Sequence, residues 1–394
     1  MNKVVINLEA LRYNLAQINH IIELQGASWS VVTKALCGHE QTIRALAILG
    51  VRSLADSRLD NLRAINRVAP GLEKWYLRLP HLSVIEDVVA LADVSLNSEI
   101  RVIQALSDEA VRQETNHHII IMIELGDLRE GILPGSLTDF YQAVFEMPNI
   151  VVLGIGAQIG CLAGAAPNED QVAQLALYRE LLELKYRRKL RLISAGSSIF
   201  LPRLFAGGQY PTLNHYRVGE SLFLGTDLIS GERIEGLRND VVTLEAEIAE
   251  IKEKNLMAQG ELVASAPFES RLPDEDPAQQ LRRRGYRALV TVGNLDTDVS
   301  GLSPLIESYQ VAGGSSDITV INLGDNPNNL TVGDTVTFHT NYAAFLGLMN
   351  DPYIAKEVTP SLEEFARSLP GRWNLEVPRT LEDRGPVDLS GHEG

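Results

Sequence analysis

Between residues 28 and 225, short apolar, β-prone runs alternate with segments of helical period. The runs cover residues 29–35, 52–55, 75–79, 94–96, 118–125, 150–155, 190–193 and 216–224, and the clearest helical connections cover 41–49, 59–68, 82–90 and 170–189. The last connection, 199–215, carries Pro202, Gly207, Gly208 and Pro211, which leaves room for only a short helix. Eight strands that alternate with helices and are mostly buried on both faces predict a (β/α)8 TIM barrel. A doubly wound open sheet alternates too, but the strand count favours the barrel. After Gly231 the texture changes. Runs at 241–251, 260–264, 286–292, 317–323 and 335–338 are split by turn signals and not by long helices, which predicts a smaller β-rich C-terminal domain. The expected division is a barrel over 1–230, a β-rich domain over 231–370 and a disordered tail over 371–394. Residues 268–284, ending in Arg282-Arg283-Arg284, read as a solvated loop.

Composition narrows the class of function. At 394 residues the chain is long enough for one large and one small domain. Its net charge of −16 repels a phosphate backbone and argues against nucleic-acid binding. With 45% hydrophobic and 22% charged residues it has the balance of a globular protein. Two cysteines, Cys37 and Cys161, cannot form a disulfide framework and suggest a reducing compartment. An acid inside the first apolar stretch speaks against a signal peptide, and no window reaches the roughly 18 apolar residues of a membrane span. The expectation is a cytoplasmic enzyme or binding protein.

Lys34 closes the apolar run that begins at Trp29, at the strand end where barrel active sites are built. A lysine there can serve as a Schiff-base amine if an apolar wall desolvates it; the plainer alternative is a strand-end lysine in solvent. Late in the barrel come two small-residue loops, Ser194-Ala195-Gly196-Ser197-Ser198 and Arg217-Val218-Gly219-Glu220. Such loops let backbone N–H groups approach an anion, and the loops after strands seven and eight are the recurrent phosphate site of this architecture. An amine and a phosphate cradle on one barrel face point to pyridoxal 5′-phosphate (PLP). Arg217, inside an apolar strand, either makes a structural ion pair or faces the cofactor's pyridine nitrogen.

These stretches, with 31–35, 54–62, 124–131, 156–161, 214–220, 314–317 and 341–344, resemble the alanine racemase-like PLP enzymes of fold type III, most closely the ornithine racemase branch. The resemblance runs through nearly the whole chain in order. It implies a barrel plus β-domain, PLP as cofactor, a head-to-tail homodimer and an amino-acid racemase, with ornithine or another diamino acid favoured over alanine. It makes Lys34 the Schiff-base lysine and Arg217 the pyridine partner. Ser197 and Ser198, the backbone of Gly219 and Glu220, and Tyr342 would hold the phosphate. Arg129 would lie near the substrate carboxylate, and Gln158 falls where alanine racemases carry a histidine.

One departure from the family matters for mechanism. Two-base racemisation needs an acid–base group on each face of Cα, and Asn294 stands where the family's second base, a tyrosine, would be. Either another residue acts on that face, with Cys161 and a partner subunit's Asp317 as candidates and His39 and His339 ranked behind them, or Lys34 works both faces, or the activity is not racemisation. No metal site is expected, because His339 has no cysteine near it in sequence and the adjacent His117 and His118 point to opposite faces of a strand. The alternatives are a D-amino-acid aldolase or dehydratase on the same barrel, or a non-catalytic PLP carrier.

Overall fold

The computed structural model describes residues 1–160, 166–256 and 284–369. Eight parallel strands, β2 (Ser28–Val32), β3 (Ser53–Asp56), β4 (Glu73–Tyr76), β5 (Val94–Asn97), β6 (His117–Met122), β7 (Ile150–Gly156), β8 (Leu192–Ser197) and β9 (His215–Val218), close in sequence order into a barrel. They read as continuous apolar runs because the barrel interior covers one face and helices cover the other. Val32, Ala55, Trp75, Val94, Leu96, Ile120, Met122 and Leu153 pack as one interior cluster.

The second sheet has eight strands: β1 (Lys3–Asn7), β10 (Val242–Asn255), β11 (Arg284–Val290), β12 (Leu302–Pro304), β13 (Gln310–Gly314), β14 (Thr319–Asn322), β15 (Thr335–Thr340) and β16 (Ala355–Thr359). β1 is antiparallel to β10 and parallel to β16. The chain therefore starts in this sheet and enters the barrel only through the helix Leu8–Glu23, so residues 3–7 depart from the expected division at 230. Asn7 makes the switch, since its side chain caps that helix through the N–H groups of Glu9 and Ala10.

The run expected as an eighth strand over 216–224 is shorter. β9 stops at Val218, and residues Glu220–Leu224 turn into a helix that buries Leu222, Phe223 and Leu224. Arg284 belongs to β11 and not to a loop, while Arg282, Arg283, the run 260–264 and the tail 371–394 lie outside the described residues.

His117 and His118 do face opposite sides of β6. His117 is buried, its Nε2 lies 2.8 Å from Ser95 Oγ, and burial pushes its pKa down to about 4. A histidine held neutral in the fold but free to charge when unfolded contributes stability above pH 6.5 that is lost as pH falls towards 4. Each pH unit in that window costs about 1.4 kcal/mol from this group. Urea titrations at pH 7 and pH 5 are expected to show that loss in the parent, and His117→Asn is expected to flatten it.

Candidate active site

The C-terminal ends of the barrel strands carry the chemistry. β2 and β9 are parallel neighbours with Val31 opposite Val218, so the chain continues on one side as Val32-Thr33-Lys34 and on the other as Gly219-Glu220. A side chain at Gly219 would put its Cβ 2.8 Å from the Val32 carbonyl oxygen, so only glycine allows this approach. Lys34 starts a single 3-10 turn after β2, and its side chain is exposed at the mouth. The expected apolar wall around the amine is not there. Its neighbour across the mouth is Tyr342, whose ring centroid lies 5.7 Å from Nζ. Tyr342 opens the helix Tyr342–Asn350, which Asn341 caps through the Ala344 N–H and which packs on the Lys34 turn.

Glu220 follows Gly219, whose backbone presses on Val32 two residues before Lys34; it is half-buried, with no hydrogen-bond partner among the described residues. Burial pushes its carboxyl up to about 7, and the Lys34 charge opposes that rise. Ser198 Oγ receives the N–H groups of Gly219 at 3.3 Å and Ser221 at 3.5 Å, while Ser197 Oγ is buried without a partner. Long bonds to one hydroxyl and an orphaned second hydroxyl make a donor set suited to an anion.

Arg217 lies one residue before Val218, buried and pointing into the barrel. Its Nη1 donates to the Ser194 carbonyl at 2.5 Å and to Ser194 Oγ at 2.6 Å. Its Nη2 donates to the Ala157 carbonyl at 3.2 Å and to Gln158 Oε1 at 3.1 Å. These four acceptors are neutral, and the nearest carboxylate on this path is one amide further away. Gln158 Nε2 donates to Glu130 Oε1 at 3.1 Å, and Glu130 pairs with Arg129 through two 2.6 Å bonds. Burial works against the charge on Glu130, but the Arg129 pair and the Gln158 bond hold its carboxyl below the usual range. Behind Arg217, Ser194 Oγ also lies 2.9 Å from His215 Nδ1, and Trp75 stacks on His215 with ring centroids 4.3 Å apart. The guanidinium is thus fixed by a fully packed floor.

Arg129 is exposed at the barrel mouth, on a loop that Glu124 organises by accepting the N–H groups of Gly126, Leu128 and Arg129. Gly131 closes that loop at φ 154°, where a Cβ would lie 2.2 Å from the Glu124 nitrogen. Asn294 and Asp317 lie on two hydrogen-bonded loops of the second sheet, after β11 and between β13 and β14. Asn294 Nδ2 donates to the Ser315 carbonyl at 3.1 Å, and the exposed Asp317 takes the Ser316 hydroxyl at 2.8 Å. No hydrogen bond or ion pair joins either to Lys34 among the described residues. Cys161 lies outside the described residues. His39 Nδ1 sits 2.8 Å from Thr42 Oγ1 at a helix start, and His339 belongs to β15. Glu130, His215 and the Glu220 side chain carry no role in the sequence reading; the signal for the last is an acid three residues after Arg217 in the mostly apolar stretch 216–224.

The residues present fit PLP. An unpartnered buried hydroxyl and converging N–H groups face the place for its phosphate, a cationic donor faces the place for its ring nitrogen, and a primary amine stands at the mouth.

Comparison with known proteins places the chain in a family. Residues 6–227 match the family model described as alanine racemase, N-terminal domain. The chain is 33% identical to an ornithine racemase of Acetoanaerobium sticklandii, over 90% of this chain and 99% of that protein. It is 28% identical to a lysine racemase of Thermotoga maritima, over 91% of this chain and 99% of that protein. Among solved structures, an alanine racemase from Bartonella henselae with covalently bound pyridoxal phosphate superposes with a TM-score of 0.68. That match is 14% identical and covers 91% of this chain and 99% of the other. At that identity the likeness shows the fold. No helix among the described residues is long and apolar enough to cross a membrane.

Proposed function

The chain belongs to the alanine racemase family, and from that premise we propose that it interconverts the L and D forms of a basic α-amino acid, of the ornithine and lysine type, with PLP. The observation that carries this reading is Lys34 against Tyr342 at the barrel mouth, after a strand whose parallel neighbour holds the buried, fourfold-bonded Arg217. PLP, when bound, supplies the electron sink that acidifies the substrate's Cα–H.

The rest of the work falls to residues of this chain. Lys34 Nζ would hold the cofactor at its aldehyde carbon and, as a free amine on one face of the bound substrate, would take the Cα proton there. Arg217 donates to the ring nitrogen. An arginine does not surrender a proton in this pH range, so it keeps that nitrogen unprotonated and limits how far charge is drawn into the ring. Ser197 and Ser198 hydroxyls, the N–H groups of Gly219 and Glu220, and the Tyr342 hydroxyl hold the phosphate. Arg129 orients the substrate carboxylate with its planar fork, and Gln158 holds Arg217 and Glu130 in register behind it. In a head-to-tail homodimer the second sheet of one protomer closes the other's site, and Asp317 returns a proton to the opposite face of Cα where Asn294 cannot; Cys161 is the other candidate for that step.

Incubating the PLP-loaded protein with L-ornithine in deuterated water tests the reading by chiral chromatography and mass. The expected result is an approach to equal L and D forms, with deuterium at Cα and no loss on chelation. Exchange without inversion removes racemisation. Chelator-sensitive cleavage or elimination would indicate an aldolase or dehydratase, and no exchange at all a PLP carrier.

A further inference from the structure

We propose that the Glu220 carboxylate is the receptor for the substrate's distal ammonium and so the residue that selects basic amino acids. The inference rests on the racemase reading above and adds what chooses the substrate.

Glu220 is brought to the mouth by backbone geometry: β9 pairs with β2 in register, and Gly219 presses on Val32. Its side chain is half-buried, has no hydrogen-bond partner among the described residues, and feels Lys34 as the one neighbouring charge that stabilises its ionised form. That arrangement holds only while Lys34 carries its proton. To bond the cofactor, and again to take the Cα proton, Lys34 Nζ must be an uncharged nitrogen, and Glu220 then loses its counter-charge in a half-desolvated position. A substrate attached where Lys34 was attached has its side chain beginning at the same point. Three methylenes carry a second ammonium about 5 Å from Cα by ordinary bond lengths. The distal ammonium thus replaces the charge that Lys34 has given up. An apolar side chain of the same length leaves the carboxylate unpaired, or protonated because burial already pushes its pKa up to about 7. A site with a buried polar group discriminates strongly against the analogue that lacks the partner.

Ornithine and norvaline share one carbon chain and differ only in the distal amine, so their ratio of kcat/KM isolates the contact. The PLP-loaded parent is expected to favour ornithine by about 100-fold or more, Glu220→Gln to cut that ratio at least about tenfold, and Glu220→Asp to fall between the two. Calorimetric titration provides a readout without turnover: 5-aminovalerate is expected to bind the parent at least about tenfold more tightly than pentanoate, and Glu220→Gln to erase the difference. If Glu220→Gln keeps both preferences within about threefold of the parent, the assignment is overturned while racemisation stands. If the parent racemises nothing, the racemase reading falls, and the titration still decides whether Glu220 receives the ammonium. Should Glu220→Gln not fold, Glu220→Asp read against the parent in the same titration decides it.

Discussion

Lys34→Ala is expected to give a folded protein that no longer retains PLP through gel filtration and has lost racemisation by about four orders of magnitude or more. The size of the loss follows from removing a positioned base, worth about 10²–10⁴ alone, together with the nucleophile that captures the cofactor. The fold is expected to survive, because the Lys34 side chain is exposed and its one described contact is the face of Tyr342 at 5.7 Å. An exposed cation at that distance over the half-buried Tyr342 ring contributes about 1 kcal/mol. The variant has a second signature. Lys34 is what opposes the upward shift of Glu220, so its removal moves the Glu220 carboxyl above about 7. Carboxyl resonances read by NMR across pH 5–9 would follow that shift. A variant that still holds PLP through gel filtration and turns over substrate would show that another amine does the work assigned to Lys34.

The barrel was legible for a specific physical reason. Parallel strands covered on both faces are mostly apolar, so the eight strands stand out as short β-prone runs between helical segments even where Ser95, His117, His215 and Arg217 interrupt them. The second sheet was only half legible. β12 and β13 are short and rich in Ser, Gly and Pro, and β16 carries Lys356 and Glu357 on a half-exposed edge, so none of them has the alternation that marks a strand. β1 was misplaced because its partners lie more than two hundred residues away, and local pattern carries no information about such pairing. The same limit applies at the site. Lys34 and Arg217 stand out singly, since a cation next to or within an apolar strand is conspicuous. The Arg217–Gln158–Glu130–Arg129 relay and the Trp75–His215 stack join different strands, and only the closed barrel brings them together. The exposure of Lys34 agrees with the plainer of its two readings, a strand-end lysine in solvent, and the 3-10 turn after β2 is what presents the side chain there.

Arg217 carries the other large effect, and its two roles separate by substitution. As a structural group it satisfies the Ser194 and Ala157 carbonyls, the Ser194 hydroxyl and the Gln158 amide from one buried fork. Arg217→Ala leaves those acceptors without a donor in a packed floor, which is expected to cost about 3–5 kcal/mol in urea titration. Arg217→Lys keeps the charge but cannot span the fork, and about 1–3 kcal/mol is expected. The chemical role shows in the products. An ammonium has a pKa near 10.4 and can pass its proton to the ring nitrogen, where a guanidinium cannot. A protonated ring would draw the charge from Cα more deeply, so the returning proton would go more often to the cofactor side than to Cα, and one water would then release the amino acid as its keto acid with its amine left on the cofactor. Arg217→Lys is therefore expected to racemise about 100-fold more slowly while the keto-acid fraction rises, measured by chiral chromatography and keto-acid trapping on one sample. A uniform fall in both products would assign Arg217 to the floor of the barrel alone, since lost packing slows every reaction at the site alike.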